Sequence, residues 1–330
     1  MNYVDPHIHM VSRVTDDYEA LARMGCVAVS EPAFWAGFDR RSADGFRDYF
    51  RQITEVEPKR AAGYGIAHYS WLCINAKEAE DVTLARDVIA AIPEFLGASN
   101  VLGICEIGLN KNTRNEATVF LEQVQLAVKH DETILIHTPH LADKLRGTRM
   151  ILDMLADFPT LDRGRVVIDH VEEHTIRHAL DAGYWAGMTL YPVTKCSPER
   201  ACDMIERYGT ERMLVNSAGD WGPSRPVAVP DFIVAMRARG HAESLIEKVV
   251  LDNPLTLFSR CRRYVPPPRV AGPCPMAPTT SRGAWSASSP RCSSATARSS
   301  SSRRAPPRTR SRSPRCRRHG ARSTAIPAAT

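Results

Sequence analysis

The chain has 330 residues and a formal net charge of +6, and 43% of its residues are hydrophobic. This length is enough for one large domain or two ordinary ones with a sizeable core. The positive charge is unevenly placed, because residues 271–330 hold 12 of the 43 basic residues and no acidic residue. Residues 1–270 then carry 31 basic against 37 acidic residues, a net charge of −6. Composition therefore argues against a body that binds nucleic acid through a globally basic surface.

The segment 270–330 is predicted to be a disordered tail that follows a folded domain over 1–269. Ser, Arg, Ala and Pro dominate the tail, and its last 60 residues contain no Leu. Such a composition buries too little apolar surface to offset the entropy cost of ordering the chain. An Arg- and Ser-rich tract can bind RNA or acidic partners. The same composition is typical of out-of-frame translation of GC-rich DNA, and we favour a frameshift product as its origin.

The sequence also predicts the compartment of the protein. It contains no run of 18 apolar residues, so we expect no transmembrane helix. The N-terminus passes directly into a histidine-rich motif, which leaves no room for a signal peptide. The cysteines before residue 270 show no CxxC spacing and are interpreted as reduced packing residues. Together these features predict a cytoplasmic protein that does not act on a membrane.

Short apolar runs alternate with amphipathic stretches along the body of the chain. The apolar runs predict eight strands, at Asn2–Met10, Val27–Ser30, Ala61–Ala67, Val101–Ile107, Thr133–His137, Arg165–His170, Ala186–Leu190 and Met213–Ser217. Helices are predicted between them at Thr15–Met24, Ala43–Glu55, Ala76–Ala91, Glu116–His130, Gly147–Phe158, Glu173–Ala182, Pro198–Tyr208 and Pro230–Arg239.

The predicted strands are almost continuously apolar, so both faces of the sheet must be covered, as in a parallel sheet under helices. Eight such units in about 260 residues predict an α/β fold, a (β/α)8 TIM barrel. A doubly wound open sheet is the alternative. The absence of a glycine-rich phosphate turn after the first strand argues against it.

Polar side chains recur at the C-terminal ends of the predicted strands, where barrel enzymes carry their chemistry. His7 and His9 lie two apart on the first predicted strand and therefore point the same way. The fourth, fifth, sixth and eighth strands end at, or shortly before, Glu106, His137, His170 and Asp220. Imidazole and carboxylate groups that face one point can share a divalent cation. The pattern predicts a metal site at the mouth of the barrel.

These motifs resemble those of a known family, the TatD-like metal-dependent hydrolases of the amidohydrolase superfamily. The shared elements, in chain order, are Asp5-x-His7-x-His9, Glu106-Ile-Gly108, His137, His170 and Asp220, followed by Asn253-Pro254 and Leu257-Phe258. The resemblance covers about 1–260 and implies a barrel enzyme that depends on divalent cations.

The resemblance also implies roles for these residues. One cation would be bound by His7, His9 and Asp220, and a second by His137 and His170, with Glu106 as the bridge. Asp220 would also shuttle a proton, so that Asp220 and Glu106 are the implied catalytic residues, and Asp5 would orient a ligand imidazole. The cofactor is thus one or two divalent ions, with Zn, Mn, Mg and Fe as candidates. The implied reaction is hydrolysis by a metal-activated hydroxide.

Three positions depart from the DNA-cleaving members of the family. Thr138-Pro139-His140 follows His137 where those members carry an arginine, and Asn110 replaces their usual aspartate. Asp220 follows Ser-Ala-Gly instead of Glu-Thr. We therefore expect a small-molecule ester, amide or phosphoester as substrate, with a TatD-type metal-dependent deoxyribonuclease as the alternative. The pattern is similar to a TatD-related subgroup found beside prenyltransferase-like genes in secondary-metabolite clusters.

Five further residues near strand ends are candidates for substrate contact: His68, His140, Tyr191, Lys195 and Arg225. An ordinary packing or surface position is the alternative for each. Cys105 is interpreted as facing away from the site, between barrel and helices. A metal-dependent decarboxylase on the same barrel remains a further alternative.

The segment His170-Val-Glu-Glu-His174 also fits the H-x-x-E-H motif of inverted zinc proteases. That motif requires a helix, so that both histidines share one face. Here an apolar β-branched run leads directly into His170, which favours a strand end instead.

Overall fold

The computed structural model describes residues 1–139 and 143–267, so His140 and the predicted tail lie outside the described residues. Within these ranges, the buried apolar runs form one eight-stranded parallel sheet in which each strand pairs with the next in chain order. Strands β1 to β8 span Tyr3–Asp5, Cys26–Pro32, Ala67–Leu72, Val101–Gly108, Thr133–His137, Val166–Asp169, Trp185–Thr189 and Met213–Asn216.

The first and last strands meet just beyond their ends. The N–H of Ala218 donates to the carbonyl of His7 at 2.7 Å, and the N–H of His9 donates to the carbonyl of Gly219 at 2.8 Å. The sheet is therefore a nearly closed barrel. Helices alternate with its strands, and the predicted (β/α)8 TIM barrel is confirmed.

Amphipathic helices cover the outside of the sheet. Helices α1 to α11 span Thr15–Arg23, Ala43–Arg51, Glu57–Ala62, Val82–Ala91, Arg114–His130, Lys144–Ala156, Ile176–Asp181, Pro198–Tyr208, Ala228–Ala238, Glu243–Glu247 and Asn253–Phe258. Their starts carry local signals. The Thr113 hydroxyl accepts from the N–H of Glu116, whose carboxylate in turn accepts from the N–H of Thr113, at the start of α5. Ser197 caps α8, and Pro198 occupies its first turn.

Two strand predictions need correction. The predicted strand at Ala61–Ala67 is wrong, because α3 ends at Ala62 and β3 begins only at Ala67. Its alanines favour a helix, and Gly65 then turns the chain with a φ of 71°. The first strand is shorter than predicted, since Pro6 follows β1 and has no N–H to continue the ladder. The metal-site histidines of this segment therefore lie on the loop after β1.

The inside of the barrel has its own apolar core. Val4, Trp71, Leu135 and Leu214 pack there, together with residues of α11. This helix closes the N-terminal end of the barrel: the side-chain amide of Asn253 donates to the carbonyl of Met213 at 2.8 Å, where β8 begins. The C-terminal end is left for polar side chains.

Cys105 belongs to this inner core, so its predicted outward position is wrong. Strand β4 shifts register between Ile104 and Ile107, which interrupts the alternation of faces. Both Cys105 and Glu106 consequently turn inward, and Cys105 joins none of the candidate metal-binding groups among the described residues.

Candidate metal centre

The loop after β1 is fixed by backbone hydrogen bonds on both sides. The N–H of Ile8 donates to the carbonyl of Ser30 at 3.0 Å, in addition to the two bonds that join this loop to the end of β8. The ring of His9 stacks on Phe34, with centroids 3.9 Å apart, and its Nδ1 lies 3.2 Å from the carbonyl oxygen of Pro32. As a result, the Nε2 atoms of His7 and His9 face each other at 3.1 Å.

Asp169 orients His7 from the end of β6. Its Oδ2 lies 2.6 Å from Nδ1 of His7, so the ring N–H donates to the carboxylate and Nε2 points to the centre of the barrel mouth. Oδ1 of Asp169 accepts from the side-chain amide of Asn216 at 2.9 Å. Asp169 is ionised. The pKa of its carboxyl lies well below the usual value, because the interactions with His170 and His7 outweigh the effect of burial.

Glu106 lies at the centre of the arrangement. Its Oε1 is 2.9 Å from Nδ1 of His137, 3.0 Å from Nε2 of His170 and 3.7 Å from Nε2 of His7. Its Oε2 accepts from the side-chain amide of Asn75 at 3.0 Å. One carboxylate thus reaches histidines from three strand ends, which is the geometry a bridging ligand requires.

His170 reaches the centre through its backbone. It follows β6 directly and has a φ of 59°, a left-handed conformation that a non-glycine residue rarely adopts. Because of this turn, both Asp169 and His170 direct their side chains into the barrel mouth. Nδ1 of His170 lies 2.6 Å from the hydroxyl of Thr189, and its carbonyl accepts from the ammonium of Lys144 at 2.8 Å.

Burial sets the charge state of the histidines. Burial and the nearby His7 lower the pKa of His9 to about 3. Burial likewise lowers the pKa of His137 and, more strongly, that of His170. Burial also acts to lower the pKa of His7, but Glu106 and Asp169 outweigh it and raise the pKa above its usual value. Three imidazoles are therefore neutral at pH 7, which is the form that binds a metal ion.

These side chains form three groups whose ligand atoms lie within 4.8 Å of one another: His7, His9 and Glu106; His7, Asp169 and His170; and Glu106, His137 and His170. The groups share members, so the donors surround one continuous space. Nitrogen and oxygen donors at this spacing suit one or two divalent ions. The donor set thus fits the cofactor implied by the sequence motifs.

Two further residues implied for this centre have hydrogen-bond partners outside the three groups. Asp220 is in none of the three groups; its Oδ1 instead accepts from the hydroxyl of Tyr191 at 2.9 Å and from the N–H of Gly222 at 2.8 Å. Oδ1 of Asp5 accepts from the backbone N–H groups of His7 and Ser217, both at 3.2 Å. Asp5 therefore holds the loop backbone, while Asp169 contacts the His7 ring.

A small pocket of about 50 Å³ opens above the centre. Its lining includes residues of the centre and of the surrounding loops: His9, Phe34, Trp35, Asn75, Lys77, Glu106, His137, Lys195, Ala218, Asp220 and Trp221. A second pocket of about 850 Å³ lies beside it and shares Phe34 and Trp221 with it. Phe34 and Trp221 therefore border both pockets.

The candidate substrate residues fall in different places. Lys195 lines the small pocket, and Tyr191 contacts its Asp220. His68 is buried on β3, with Nε2 2.7 Å from Oε2 of Glu31, and is not part of the pocket lining. Arg225 is exposed and pairs with Asp231 at 2.8 Å. His174, the second histidine of the protease-like motif, is exposed and lies outside the centre.

Several residues of the site were not predicted from the sequence. Asp169 ends a buried apolar run, and a polar residue at such a position could have indicated a site residue. However, if His170 faces inward and the side chains alternate strictly, the sequence predicts that Asp169 faces outward. Asn75 and Trp35 lie on loops, where no periodicity indicates a direction. Lys77 lies in a short 3-10 helix, Ala76–Glu78, at the start of the helix predicted over Ala76–Ala91.

Fold and site together define a metal-dependent hydrolase built on a (β/α)8 barrel. The model of the family described as TatD related DNase matches residues 49–259, and the chain belongs to this family.

Individual proteins give the same classification. An uncharacterised metal-dependent hydrolase of Methanocaldococcus jannaschii is 26% identical over 216 residues, covering 66% of this chain and 84% of that protein. A TatD-like protein of Archaeoglobus fulgidus has a similar structure, with a TM-score of 0.64 and 25% identity over 77% of this chain and 99% of its own. The phosphotriesterase homology protein of Escherichia coli, solved with phosphate in its active site, has a TM-score of 0.52 and 15% identity over 78% of this chain and 98% of its own, a likeness of fold alone.

Proposed function

We propose that the chain hydrolyses an ester, amide or phosphoester bond in a small molecule, using one or two divalent cations. The observation that carries this proposal is the convergence of ligand atoms from the ends of β1, β4, β5 and β6 on one space beneath a pocket. The proposed ligands are His7, His9, Glu106, His137 and His170, with Asp169 as an orienting residue that can also enter the ligand set. A bound divalent ion lowers the pKa of water and polarises the bond to be cleaved.

The chain's own residues would position the reactants and move the proton. Asp220 lines the pocket and is held by the Tyr191 hydroxyl and the Gly222 N–H. In this position Asp220 can accept a proton from the attacking water and pass it to the leaving group. A Cβ at residue 222 would overlap the Tyr191 hydroxyl, so glycine there permits the contact that fixes Asp220.

The pockets favour a small molecule. The larger pocket has a volume typical of small-molecule sites and presents Phe34, Phe38 and Trp221. Of its two arginines, the buried Arg40 is paired with Glu78 at 2.7 Å, and Arg41 shares the pocket lining with Asp39 and Asp48. A polyanionic strand needs a groove with unpaired basic residues along its backbone. This pocket instead offers aromatic and mixed-charge walls.

Deoxyribonuclease activity is the second candidate, because the matched family model is described as TatD related DNase. It predicts cleavage of single-stranded DNA in Mg²⁺ or Mn²⁺ that is lost in His137→Ala. Absence of cleavage at low salt, alongside turnover of a small ester or phosphoester, would exclude it.

The domain limits and the compartment belong to the same proposal. We assign the hydrolase to 1–269, which includes all the proposed ligands, and treat 270–330 as a dispensable tail. The six cysteines in the described residues are unpaired and buried, as in a reducing compartment, which supports a cytoplasmic location.

Metal analysis and chelation test the proposal directly. The purified chain should contain one or two equivalents of a divalent ion, and exhaustive chelation should abolish hydrolysis in a panel of esters, amides and phosphoesters until the ion is restored. His9→Ala should lose both metal and activity, and Asp220→Asn should lose activity. His174→Ala, an exposed histidine outside the centre, is the control and should retain both. Full activity after chelation would refute the proposal.

A further inference from the structure

Two lysines at the pocket differ from the other partly buried lysines of the described chain. Lys144 pairs with Glu172 at 2.7 Å, and Lys248 pairs with Glu211 at 3.9 Å. Lys77 and Lys195 are also shielded from solvent, but within 1–139 and 143–267 neither has a carboxylate within ion-pair distance. Both line the small pocket above the metal centre.

Each of these lysines rests on an aromatic ring. Nζ of Lys77 lies 5.0 Å from the ring centroid of Trp35, and Nζ of Lys195 lies 5.1 Å from that of Tyr191. A cation above a ring is attracted to it but gives up none of its N–H donors. The rings therefore position the two ammonium groups and leave their donors available to a ligand.

The backbone around each lysine is tied to the centre. The side chain of Asn75 accepts from the N–H of Lys77 and donates to Glu106, so the turn that carries Lys77 is fixed against the bridging carboxylate. On the other side, Tyr191 lies beneath Lys195 and donates to Asp220. Both positions are thus built into the site and are not accidents of flexible surface chains.

Placing ammonium groups beside a cation site has an electrostatic cost. Lys77 and Lys195 line the same pocket of about 50 Å³ as the proposed ligands His9, Glu106 and His137, and like charges repel at such short range. An arrangement that opposes metal binding is explained if an anion enters between the lysines and the metal site. The pocket would then hold a carboxylate or phosphate group with donors from both sides.

We propose that Lys77 and Lys195 form an anion clamp that selects substrates carrying a carboxylate or phosphate group beside the bond to be cleaved. This inference rests on the proposed hydrolase function and narrows its substrate class. The clamp binds the anion in the ground state, and the two lysines act as specificity-determining residues.

Direct binding measurements test the clamp. Inorganic phosphate and benzoate serve as probes for the two anion types, titrated into the metal-containing full chain by calorimetry and by tryptophan fluorescence, to which the pocket residues Trp35 and Trp221 contribute. Lys77→Met and Lys195→Met should each lower the binding affinity for at least one of the two anions tenfold or more, and the metal content should stay unchanged. Lys77→Arg and Lys195→Arg should retain most of the affinity. Lys129→Met, on an exposed face of α5, is the control.

The outcomes separate the clamp from the hydrolase proposal. If the variants weaken the binding of phosphate but not of benzoate, the clamp is specific for phosphate. The reverse result identifies a carboxylate clamp. Affinities within twofold of wild type in both methionine variants, or no binding of either anion at millimolar concentration, overturn the clamp. Loss of metal in these variants would also overturn it, because the lysines would then support the metal centre. If the anions bind as expected but only DNA is cleaved, the small-molecule function fails and the clamp stands.

Discussion

The floor and the rim of the site are held in different ways. The floor consists of His7, His9, Glu106, His137, His170 and Asp169, all buried at strand ends or on the loop after β1 and close to one another's ligand atoms. The rim consists of Phe34, Trp35, Lys77, Lys195 and Trp221, which lie on loops, directly after a strand or, for Lys77, in the short 3-10 helix Ala76–Glu78. Trp221 is 56% exposed, whereas His7 is fully buried.

This difference indicates a division of labour. A pre-arranged floor avoids reorganisation when a cation binds, because its ligands are already oriented by a second layer of hydrogen bonds. A rim made of aromatic rings and ammonium groups without ion pairs can contact substrates of different shape. We therefore expect floor substitutions to change metal content and rim substitutions to change substrate affinity.

The largest effect is expected from Glu106→Gln. The amide keeps the size of the side chain but removes the charge shared by His137 and His170. We expect a fall in kcat/KM of roughly a thousandfold or more, equivalent to about 4 kcal/mol, together with loss of at least one metal equivalent. Metal analysis of folded protein and steady-state kinetics measure both effects. Glu122→Gln on the outer helix α5 is the matched control, and equal metal content in the two variants would contradict the assignment.

Asp169→Asn tests the layer behind the floor. The amide cannot hold the N–H of His7 as a carboxylate does, so the ring loses its fixed orientation. We expect metal affinity to fall about 10- to 100-fold, as for other residues that orient a ligand histidine. Competition with a chelator of known affinity measures the dissociation constant. Asp181→Asn on an exposed part of α7 should leave it unchanged, and the idea fails if both variants behave alike.

The floor could largely be predicted from the sequence because strand ends in a barrel meet at one place. His137 closes β5 as predicted, and His7, His9, Glu106 and His170 reach the centre although β1 and β6 end earlier than predicted. The strand ends can be located from the sequence because buried strands are apolar runs, and these runs can be recognised in the residue pattern.

The remaining features depend on backbone detail that no periodicity encodes. Asp169 shares the inner face of β6 with Val167, and the left-handed turn at His170 adds the next side chain to that face. The register shift in β4 turns Cys105 inward. The position of Lys77 depends on a short 3-10 helix whose capping residue, Asn75, donates to Glu106. The family resemblance implies Asp220 as a ligand, and this role stays a prediction; in the structure its Oδ1 accepts from Tyr191 at the pocket wall.

Gly187→Ala tests how closely the floor is packed. A Cβ at this position of β7 would overlap Oδ1 of Asp169, so the carboxylate must move or the strands must separate. We expect a loss of about 1–3 kcal/mol in the free energy of unfolding from overpacking and roughly tenfold weaker metal binding. Gly97→Ala is the control, since its added Cβ would meet no atom within 4 Å. Thermal unfolding and metal titration of the two variants should differ, and similar values would show that Asp169 has more freedom than its contacts indicate.

The smallest effect is expected at the rim, in Trp221→Ala. This ring borders both pockets and lies 6.1 Å from the ring of Trp35, so its removal takes away part of both pocket walls without touching a proposed ligand. Loss of about 1 kcal/mol of contact energy corresponds to a roughly fivefold higher KM, with kcat and metal content close to wild type. Val234→Ala, another exposed apolar residue, should leave KM unchanged. Loss of metal in Trp221→Ala would break the division between floor and rim, because a residue of the rim would then support the metal centre.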